Sequence, residues 1–392
     1  MTKLVQPAGF ALGAFFTLVP AVSVGGALAL AVLLCAAAAL ALRPSQIKQG
    51  IEKRPVPLVL LLGFALWVVI TTLWSPLPLD DQVWKILIMV PLGALFIAAA
   101  TADSGSRNLV LAGAIAGAAV LATLLAIEAR WDMVLNRAAQ PQEDGFELLR
   151  HGGRGTTVLL ALLWPATGAL LLMGGVLRQL AALVLLAIGA WLSLQFGQAA
   201  NAAAFVVGLL AFGCGYVAPR LTLLAGTGAL TAWLLAAPVL APVLHTMARA
   251  TPNIPFSWEH RAAIWDYVSQ RIFERPVFGH GLEASRAETQ LLIVQQQEAW
   301  AIPVHPHSAS LQIWFETGAI GALLAAAALV TGGMWLARRF ANNRPGAAAA
   351  SALMASLGAV ANISYGLWAE WWVATIFVGA ALAGALAVYR VR

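Results

Sequence analysis

Two of the six histidines flank a proline in the sequence His305-Pro306-His307-Ser308. A long apolar run begins directly after them, so we expect the His307 imidazole at the mouth of a membrane span. A neutral imidazole there is suited to take a proton from a hydroxyl group, although a histidine that only hydrogen-bonds loop backbone is the simpler interpretation. His305 and His307 could begin a metal site, but no further ligands accompany them, so we predict neither a metal nor a cofactor.

Three arginines in or beside polar segments, Arg154, Arg261 and Arg286, are candidates for binding an anion. Guanidinium groups are permanently charged and can hold phosphate oxygens with two parallel hydrogen bonds. The alternative is that these arginines meet lipid headgroups or loop carboxylates at the membrane interface.

Membrane helices must position these side chains. Of the 392 residues, 61% are hydrophobic and only 10% are charged, against about 25% charged residues in a typical soluble protein. A packed core cannot hide that much apolar surface, so lipid must solvate most of the chain. Apolar runs predict an all-α transmembrane bundle of about twelve spans: residues 8–22, 24–42, 57–74, 83–100, 108–128, 155–174, 178–196, 199–217, 220–244, 308–337, 347–366 and 370–389.

The placement of charges predicts the orientation of the bundle. With both termini in the cytoplasm, the inside segments hold thirteen basic residues and two acidic ones, Glu52 and Asp103. The basic residues are Lys3, Arg43, Lys48, Lys53, Arg54, Arg107, Arg178, Arg220, Arg338, Arg339, Arg344, Arg390 and Arg392. This inside excess follows the positive-inside rule and explains the net charge of +6 without nucleic acid. All six histidines then fall outside, with the polar segments 129–154 and 245–307.

The outside segment 245–307 separates an N-terminal bundle, residues 1–244 with about nine spans, from a C-terminal bundle, residues 308–392 with about three. Helical spacing predicts an amphipathic helix from about Trp258 to the residues before Pro276, with Arg261 on the same face as the apolar positions 265, 268 and 272. A second amphipathic helix is expected from Glu283 to about Ala299. Function is therefore expected on the outside.

The order of motifs in this region resembles the O-antigen ligase and O-antigen polymerase superfamily. The resemblance is carried by Arg261 with Ile264-Trp265, Glu274-Arg275-Pro276-Val277-Phe278-Gly279, Ser285-Arg286, His305-Pro306-His307-Ser308, Leu311-Gln312, Glu316, Gly318 and Gly321. Gly153-Arg154-Gly155 with Trp164-Pro165 also agrees, as does Tyr365-Gly366-Leu367-Trp368 with Glu370-Trp371-Trp372.

The resemblance implies a fold similar to the membrane-integral C-type glycosyltransferases and a metal-independent reaction. A glycan on undecaprenyl diphosphate would move to an acceptor hydroxyl of the lipid A-core, at the periplasmic face of a bacterial inner membrane. It further implies catalytic roles for His307, Arg261 and Arg154. Positions expected to bind substrate are Arg286, Gln198, His305, Glu316 and His260, with Glu316 also expected to anchor loops by hydrogen bonds.

Two positions depart from the family pattern. Many members carry a Ser-Arg pair at an external turn whose arginine holds the diphosphate, whereas this turn reads Phe196-Gly197-Gln198. Glutamine can hydrogen-bond phosphate but brings no charge, so Arg154 or Arg286 would have to replace that arginine. Ser308 stands where an asparagine commonly follows the histidine, and a serine can still cap the next helix.

Three alternatives stay open from the sequence. The chain could be an O-antigen or exopolysaccharide polymerase, a protein O-oligosaccharyltransferase, or a non-catalytic transporter of lipid-linked glycans. A transporter would favour ionisable groups near the middle of the membrane, and the charged residues instead sit at span ends. The resemblance implies three partners: a glycan donor on undecaprenyl diphosphate, an acceptor that is the lipid A-core or another glycan, and membrane lipids. Nucleic acid is not an expected partner, and the oligomeric state is left open.

Overall fold

The computed structural model describes residues 7–41, 55–77, 81–102 and 104–388. Within these ranges the chain is almost entirely helical, and eleven segments are long and apolar enough to cross a membrane. The fold is therefore the predicted all-α, multi-pass membrane bundle. Seven of the thirteen predicted inside basic residues, together with Glu52 and Asp103, lie outside the described ranges.

Fourteen α-helices are described. They are α1 (Pro7–Leu18), α2 (Leu30–Leu40), α3 (Val56–Ile70), α4 (Asp81–Thr101), α5 (Ser104–Arg130), α6 (Val134–Ala139), α7 (Gly145–Met173), α8 (Val176–Ser193), α9 (Ala199–Val217), α10 (Pro219–Ala250), α11 (Phe256–Glu274), α12 (Ala309–Arg339), α13 (Arg344–Ile363) and α14 (Glu370–Ala387). Short 3₁₀ segments follow α1 (Val19–Gly25) and α3 (Thr71–Trp74), and a third is Ala284–Ala287.

The second predicted span, residues 24–42, is shorter than expected. Its helix α2 has only 11 residues, too few to cross about 30 Å of hydrocarbon at 1.5 Å per residue. Gly26 and Ala27 both have positive φ, which turns the chain sharply after the 3₁₀ segment and delays the start of α2. Residue 42 lies outside the described residues.

Helix α7 begins earlier than predicted. The expected polar loop reached residue 154, but the Asp144 side chain accepts a hydrogen bond from Glu147 N at 2.8 Å and starts the helix at Gly145. The carboxylate satisfies a backbone donor that has no partner within the helix. Arg154 therefore lies in the third turn of α7, and not at its start.

Small residues allow the central helices to pack closely. On α9, Gly208 and Gly215 face α13, where a Cβ at Gly215 would come within 3.0 Å of Ala347 O and Ala348 Cα. Trp164 of α7 is fully buried against this pair and donates to Ser356 Oγ of α13 at 2.9 Å. Close backbone approach is the usual means of helix association in lipid, and here it builds the rigid centre on which the loops rest.

The predicted helix over Trp258 to Pro276 is confirmed as α11, with Ile264, Trp265, Val268 and Ile272 buried on one face. The second predicted helix, Glu283 to Ala299, is wrong. Residues 291–300 form an antiparallel hairpin of β1 (Leu291–Val294) and β2 (Gln297–Trp300), with Leu291 opposite Trp300. Gln295 and Gln296 both have positive φ, as a tight two-residue turn requires. A pair of glutamines is not one of the residue pairs by which such turns are recognised, so the sequence did not predict this hairpin.

Residues 276–281 run along a break in α12. Gly318 has a φ of 64° and interrupts the helix. At this break Gly281 N donates to Glu316 O at 2.9 Å and Ala319 N donates to Pro276 O at 2.8 Å. A Cβ on Gly318 would lie 2.2 Å from Val277 O, so only glycine permits this approach. The break fixes the loop segment against the helix that carries Glu316.

Candidate active site

The His305-Pro306-His307 turn lies directly before α12, whose first turn is capped by Ser308 as predicted. His307 has a φ of 55°, a conformation uncommon for residues other than glycine. Its Nδ1 donates to Ser364 O at 2.6 Å, because a carbonyl oxygen can only accept. Its backbone N–H donates to His305 Nδ1 at 3.1 Å. The two contacts fix both rings at the loop end of the bundle, the end where residues 251–308 lie.

These contacts decide which ring nitrogens carry protons. With Nδ1–H donating, neutral His307 presents a lone pair on Nε2, and no described residue hydrogen-bonds that atom. Burial, then the positive charge of Arg261, lower the pKa of His307 to about 4, against the opposing effect of the Ser364 carbonyl. At neutral pH His307 is therefore an uncharged imidazole with a basic nitrogen free.

His305 is held neutral by the same surroundings. Burial lowers its pKa, and charge repulsion by His307, Arg261, Arg286 and Arg150 adds to this effect, giving a value of about 3. Its Nδ1 accepts from the His307 backbone, so the proton of the neutral ring is on Nε2. The two histidines therefore differ in role. His305 presents a hydrogen-bond donor at Nε2, and His307 presents an acceptor at Nε2.

Arg261 lies one turn before Trp265 on α11. Trp265 Nε1 donates to Pro306 O at 2.9 Å, which ties this face of α11 to the histidine turn. The Arg261 guanidinium lies 5.5 Å from the Trp258 ring and donates through Nη1 to Ser257 O at 3.0 Å. Its Nε is buried and has no acceptor among the described residues. Burial lowers the pKa of Arg261. A half-buried cation with an unused donor is suited to a phosphate oxygen.

Gln198 lies against Gly153, the residue before Arg154, although 44 positions separate Arg154 and Gln198 in the sequence. Gln198 packs so tightly on Gly153 that a Cβ there would lie 2.2 Å from Gln198 Cδ. The Arg154 guanidinium lies 5.9 Å from the Trp371 ring. No hydrogen-bond acceptor for it occurs among the described residues, so its donors are available to a ligand.

Tyr365 connects this pair to the bundle, a role that sequence reasoning missed. Its hydroxyl donates to Gln198 Oε1 at 2.6 Å and lies 3.4 Å from Thr157 Oγ1. Asn201 accepts from Thr157 at 2.8 Å and donates to Gly153 O at 2.9 Å. Burial raises the pKa of the Tyr365 hydroxyl, which keeps it protonated. The only sequence signal was that Tyr365 begins one of the motifs shared with the superfamily.

Glu316 anchors the loops by hydrogen bonds, which is one of the two roles expected of it. Oε1 accepts from Ser285 Oγ at 2.6 Å and Gln312 Nε2 at 3.1 Å, and Oε2 accepts from Trp368 Nε1 at 2.6 Å and Glu283 N at 3.1 Å. The side chain has no exposed surface. Glu316 therefore holds three segments together and does not face a substrate in this structure.

The two remaining predicted positions have protein partners. His260 Nε2 donates to Trp300 O at 2.9 Å and so joins α11 to the hairpin. Arg286 pairs with Glu283 at 3.0 Å, with its side chain partly exposed. Among the described residues, no group of three or more His, Cys, Asp or Glu side chains is arranged to hold a metal ion.

The site therefore combines a neutral imidazole with several permanent cations. His307, Arg261 and Arg286 each interact electrostatically with His305, and Arg154 on α7 interacts in the same way with Tyr365. Such a set can take a proton from a hydroxyl while stabilising negative charge that develops on a leaving group.

Comparison with known proteins points to the same region. Residues 181–326 match the family described as O-Antigen ligase. A protein of Rickettsia conorii named "Putative polysaccharide ligase" is 31% identical over 122 residues, which cover 30% of this chain and 29% of that protein. Proteins with the same description from Rickettsia felis and Rickettsia typhi are 30% and 26% identical over 120 and 122 residues.

The matched segment spans only 29% of the length of each of these relatives. The family match, residues 181–326, includes α11, the histidine turn and Glu316. Over that segment the chain is similar to the O-antigen ligase family.

Proposed function

We propose that this protein transfers a glycan from undecaprenyl diphosphate to a hydroxyl group of the lipid A-core, the reaction of an O-antigen ligase. The observation that carries the proposal is the state of His307, an uncharged imidazole with a free Nε2, held in the electrostatic field of Arg261. A general base and an anion site side by side are what attack by a hydroxyl on a glycosyl diphosphate requires.

In the proposed step, His307 Nε2 accepts the proton of the acceptor hydroxyl as its oxygen attacks the anomeric carbon. The bond from that carbon to the diphosphate oxygen breaks, and the electron pair stays on the diphosphate. The growing negative charge is stabilised by Arg261 and Arg154, with Arg286 at the margin. These guanidinium groups are in place before the reaction, so stabilising the charge needs little reorganisation.

Arg154 is the proposed replacement for the arginine that the 196–198 turn lacks. Gln198 packs on Gly153, so the next residue, Arg154, brings a guanidinium group to the same corner of the site. The guanidinium lies near the Trp371 ring and forms no ion pair with a carboxylate of the described residues. Arg154 would thereby supply the positive charge that the 196–198 turn lacks.

The proposed site faces the periplasm. Six arginines of the described chain, Arg107, Arg178, Arg220, Arg338, Arg339 and Arg344, lie at helix ends or short turns on the side away from the histidine turn. Basic residues in short loops favour the cytoplasm. This supports an inner-membrane protein whose loop end meets the outer leaflet, where the lipid-linked donor and the acceptor would be presented.

Deleting the gene and examining lipopolysaccharide on a gel tests the proposal. A ligase predicts loss of all long chains with an intact core, restored by the wild-type gene but not by a His307→Asn variant. A core that carries one repeat would instead identify a polymerase. Unchanged lipopolysaccharide would contradict the proposed acceptor.

A further inference from the structure

A cavity lies outside the histidine site, and we name it the glutamine cleft. It has a volume of about 850 Å³ and is enclosed by the end of α10, one face of α11 and the β-hairpin. Its lining includes four glutamines, three carboxylates and two arginines. Pockets of about 300–1,000 Å³ are typical of small-ligand sites.

The cleft is on the opposite face of α11 from the proposed catalytic groups. Arg261 and Trp265 face the histidine turn, whereas Glu259, Asp266 and Gln270 line the cleft. At 100° per residue, the two sets point roughly 140° apart around the helix axis. One helix thus separates two sites, and the cleft is not part of the anion site.

The lining chemistry of the cleft favours a polyhydroxylated ligand. Its carboxylates and arginines are nearly balanced in number, which disfavours a polyphosphate, and its mostly polar lining disfavours a lipid tail. Glutamine offers both donors and an acceptor, as a sugar hydroxyl does. Of the chemistries available at a membrane surface, a sugar chain matches this lining best.

Much of the cleft is already fixed by internal contacts. His245 Nδ1 lies 2.8 Å from Asp266 Oδ2, and Gln295 Nε2 donates to Glu259 Oε2 at 2.8 Å, which joins the hairpin turn to α11. Gln270 is exposed and has no hydrogen-bond partner among the described residues. The frame is rigid while some amides are unused, as expected of a preformed binding site.

We propose that the glutamine cleft binds sugars of the glycan at a distance from the reacting carbon. This inference rests on the proposed function, since it assumes that a glycan reaches the loop end. The sugars could belong to the transferred glycan or to the core of the acceptor. Binding remote from the chemistry would orient the chain over α11, with its reacting end at His307.

The test measures binding without transfer. The full-length protein in lipid nanodiscs is titrated with two soluble probes, the core oligosaccharide and the O-polysaccharide fragment released from the host's lipopolysaccharide by mild acid. We expect saturable binding of at least one probe, and the probe that binds identifies the source of the sugars. In the Gln270→Ala/Gln290→Ala double variant, two lost hydrogen bonds should raise Kd about tenfold or more.

The matched control is Gln297→Ala, which removes an exposed glutamine of the same hairpin that does not line the cleft. It should leave Kd within about twofold of wild type. Equal Kd for the double variant and wild type, equal weakening by the control, or no saturable binding of either probe would overturn the inference. Because the double variant could unfold the hairpin, hydrogen exchange of the wild-type protein gives a second readout. Glycan should protect residues 266–274 and 290–296, and protection absent from both segments also overturns the inference.

The proposed transfer mechanism and the proposed glycan binding can be tested separately. His307→Asn should abolish transfer and leave probe binding unchanged. Transfer retained by His307→Asn would refute the proposed mechanism whatever the cleft binds. Normal transfer without binding of either probe would refute only the proposal that the glutamine cleft binds glycan.

Discussion

Replacing His307 with asparagine separates the proposed base from the structural role of the turn. Asparagine tolerates the positive φ of 55° better than most residues do. Its amide can also occupy the place of Nδ1 and keep the hydrogen bond to Ser364 O. What His307→Asn cannot replace is the lone pair of Nε2. The variant should therefore fold and insert normally while lacking the base.

The expected loss follows from the size of general-base catalysis. Removing a positioned base lowers kcat by about 10²- to 10⁴-fold, equivalent to about 3–5 kcal/mol of activation free energy. Since Arg261 and Arg154 are untouched, KM for the lipid-linked donor should change by less than about threefold. Purified protein, lipid-linked donor and acceptor lipopolysaccharide provide the assay, and thermal unfolding checks that the fold is intact.

His305→Asn is the matched control. Its amide oxygen can still accept from the His307 backbone, so the turn and the His307 base are kept while the Nε2–H donor of His305 is lost. We expect KM to rise with kcat within about tenfold of wild type. The reasoning is refuted if folded His307→Asn keeps kcat within tenfold of wild type, or if His305→Asn loses more kcat than His307→Asn does.

Four further measurements address the same site. Arg261→Ala should abolish transfer, whereas Arg261→Lys, which keeps the charge but loses the planar fork, should lower kcat/KM about 10- to 100-fold; equal activity of the Lys variant and wild type would contradict the phosphate contact. Burial lowers the pKa of His307 to about 4, so the base stays neutral above that pH and kcat/KM should be flat from pH 7 to pH 5; an acid limb near 6.5 would show that the shift is absent. Glu316→Gln turns an acceptor into an amide donor against Ser285 or Trp368, and should destabilise the fold by about 1–3 kcal/mol, seen as a lower unfolding temperature; an unchanged unfolding temperature would argue against the anchor. Transfer should be unaffected by excess EDTA, because guanidinium groups are proposed to neutralise the diphosphate, and inhibition reversed by added divalent metal would refute that assignment.

Local sequence patterns correctly predicted several structural features around the candidate site. The amphipathic face of α11 was readable because burial repeats with the helical period, and Ile264, Trp265, Val268 and Ile272 are buried as expected. The cap at Ser308 was readable because it depends on a residue three positions away. The anchoring role of Glu316 followed from the high free energy of an unpaired carboxylate near lipid.

Other local features were hidden because their usual signals are absent. The hairpin turn uses Gln295 and Gln296, which carry no glycine or asparagine signature, so an apolar and polar mixture was taken for a helix. The start of α7 at Gly145 was missed because a polar helix that extends beyond the membrane lacks the apolar run by which spans are recognised.

The sequence alone determined that this is a multi-pass helical membrane protein, since apolar runs and basic short loops act through lipid solvation and need no tertiary contact. It also supplied the identities of the candidate reactive groups. Only the tertiary structure decided their states and neighbours. The Ser364 carbonyl selects the protonated nitrogen of His307, and Gln198 packs on Gly153, the residue before Arg154. The glutamine cleft assembles from α10, α11 and the hairpin. These features depend on atoms far apart in the chain, and no local pattern encodes the distance at which such atoms meet.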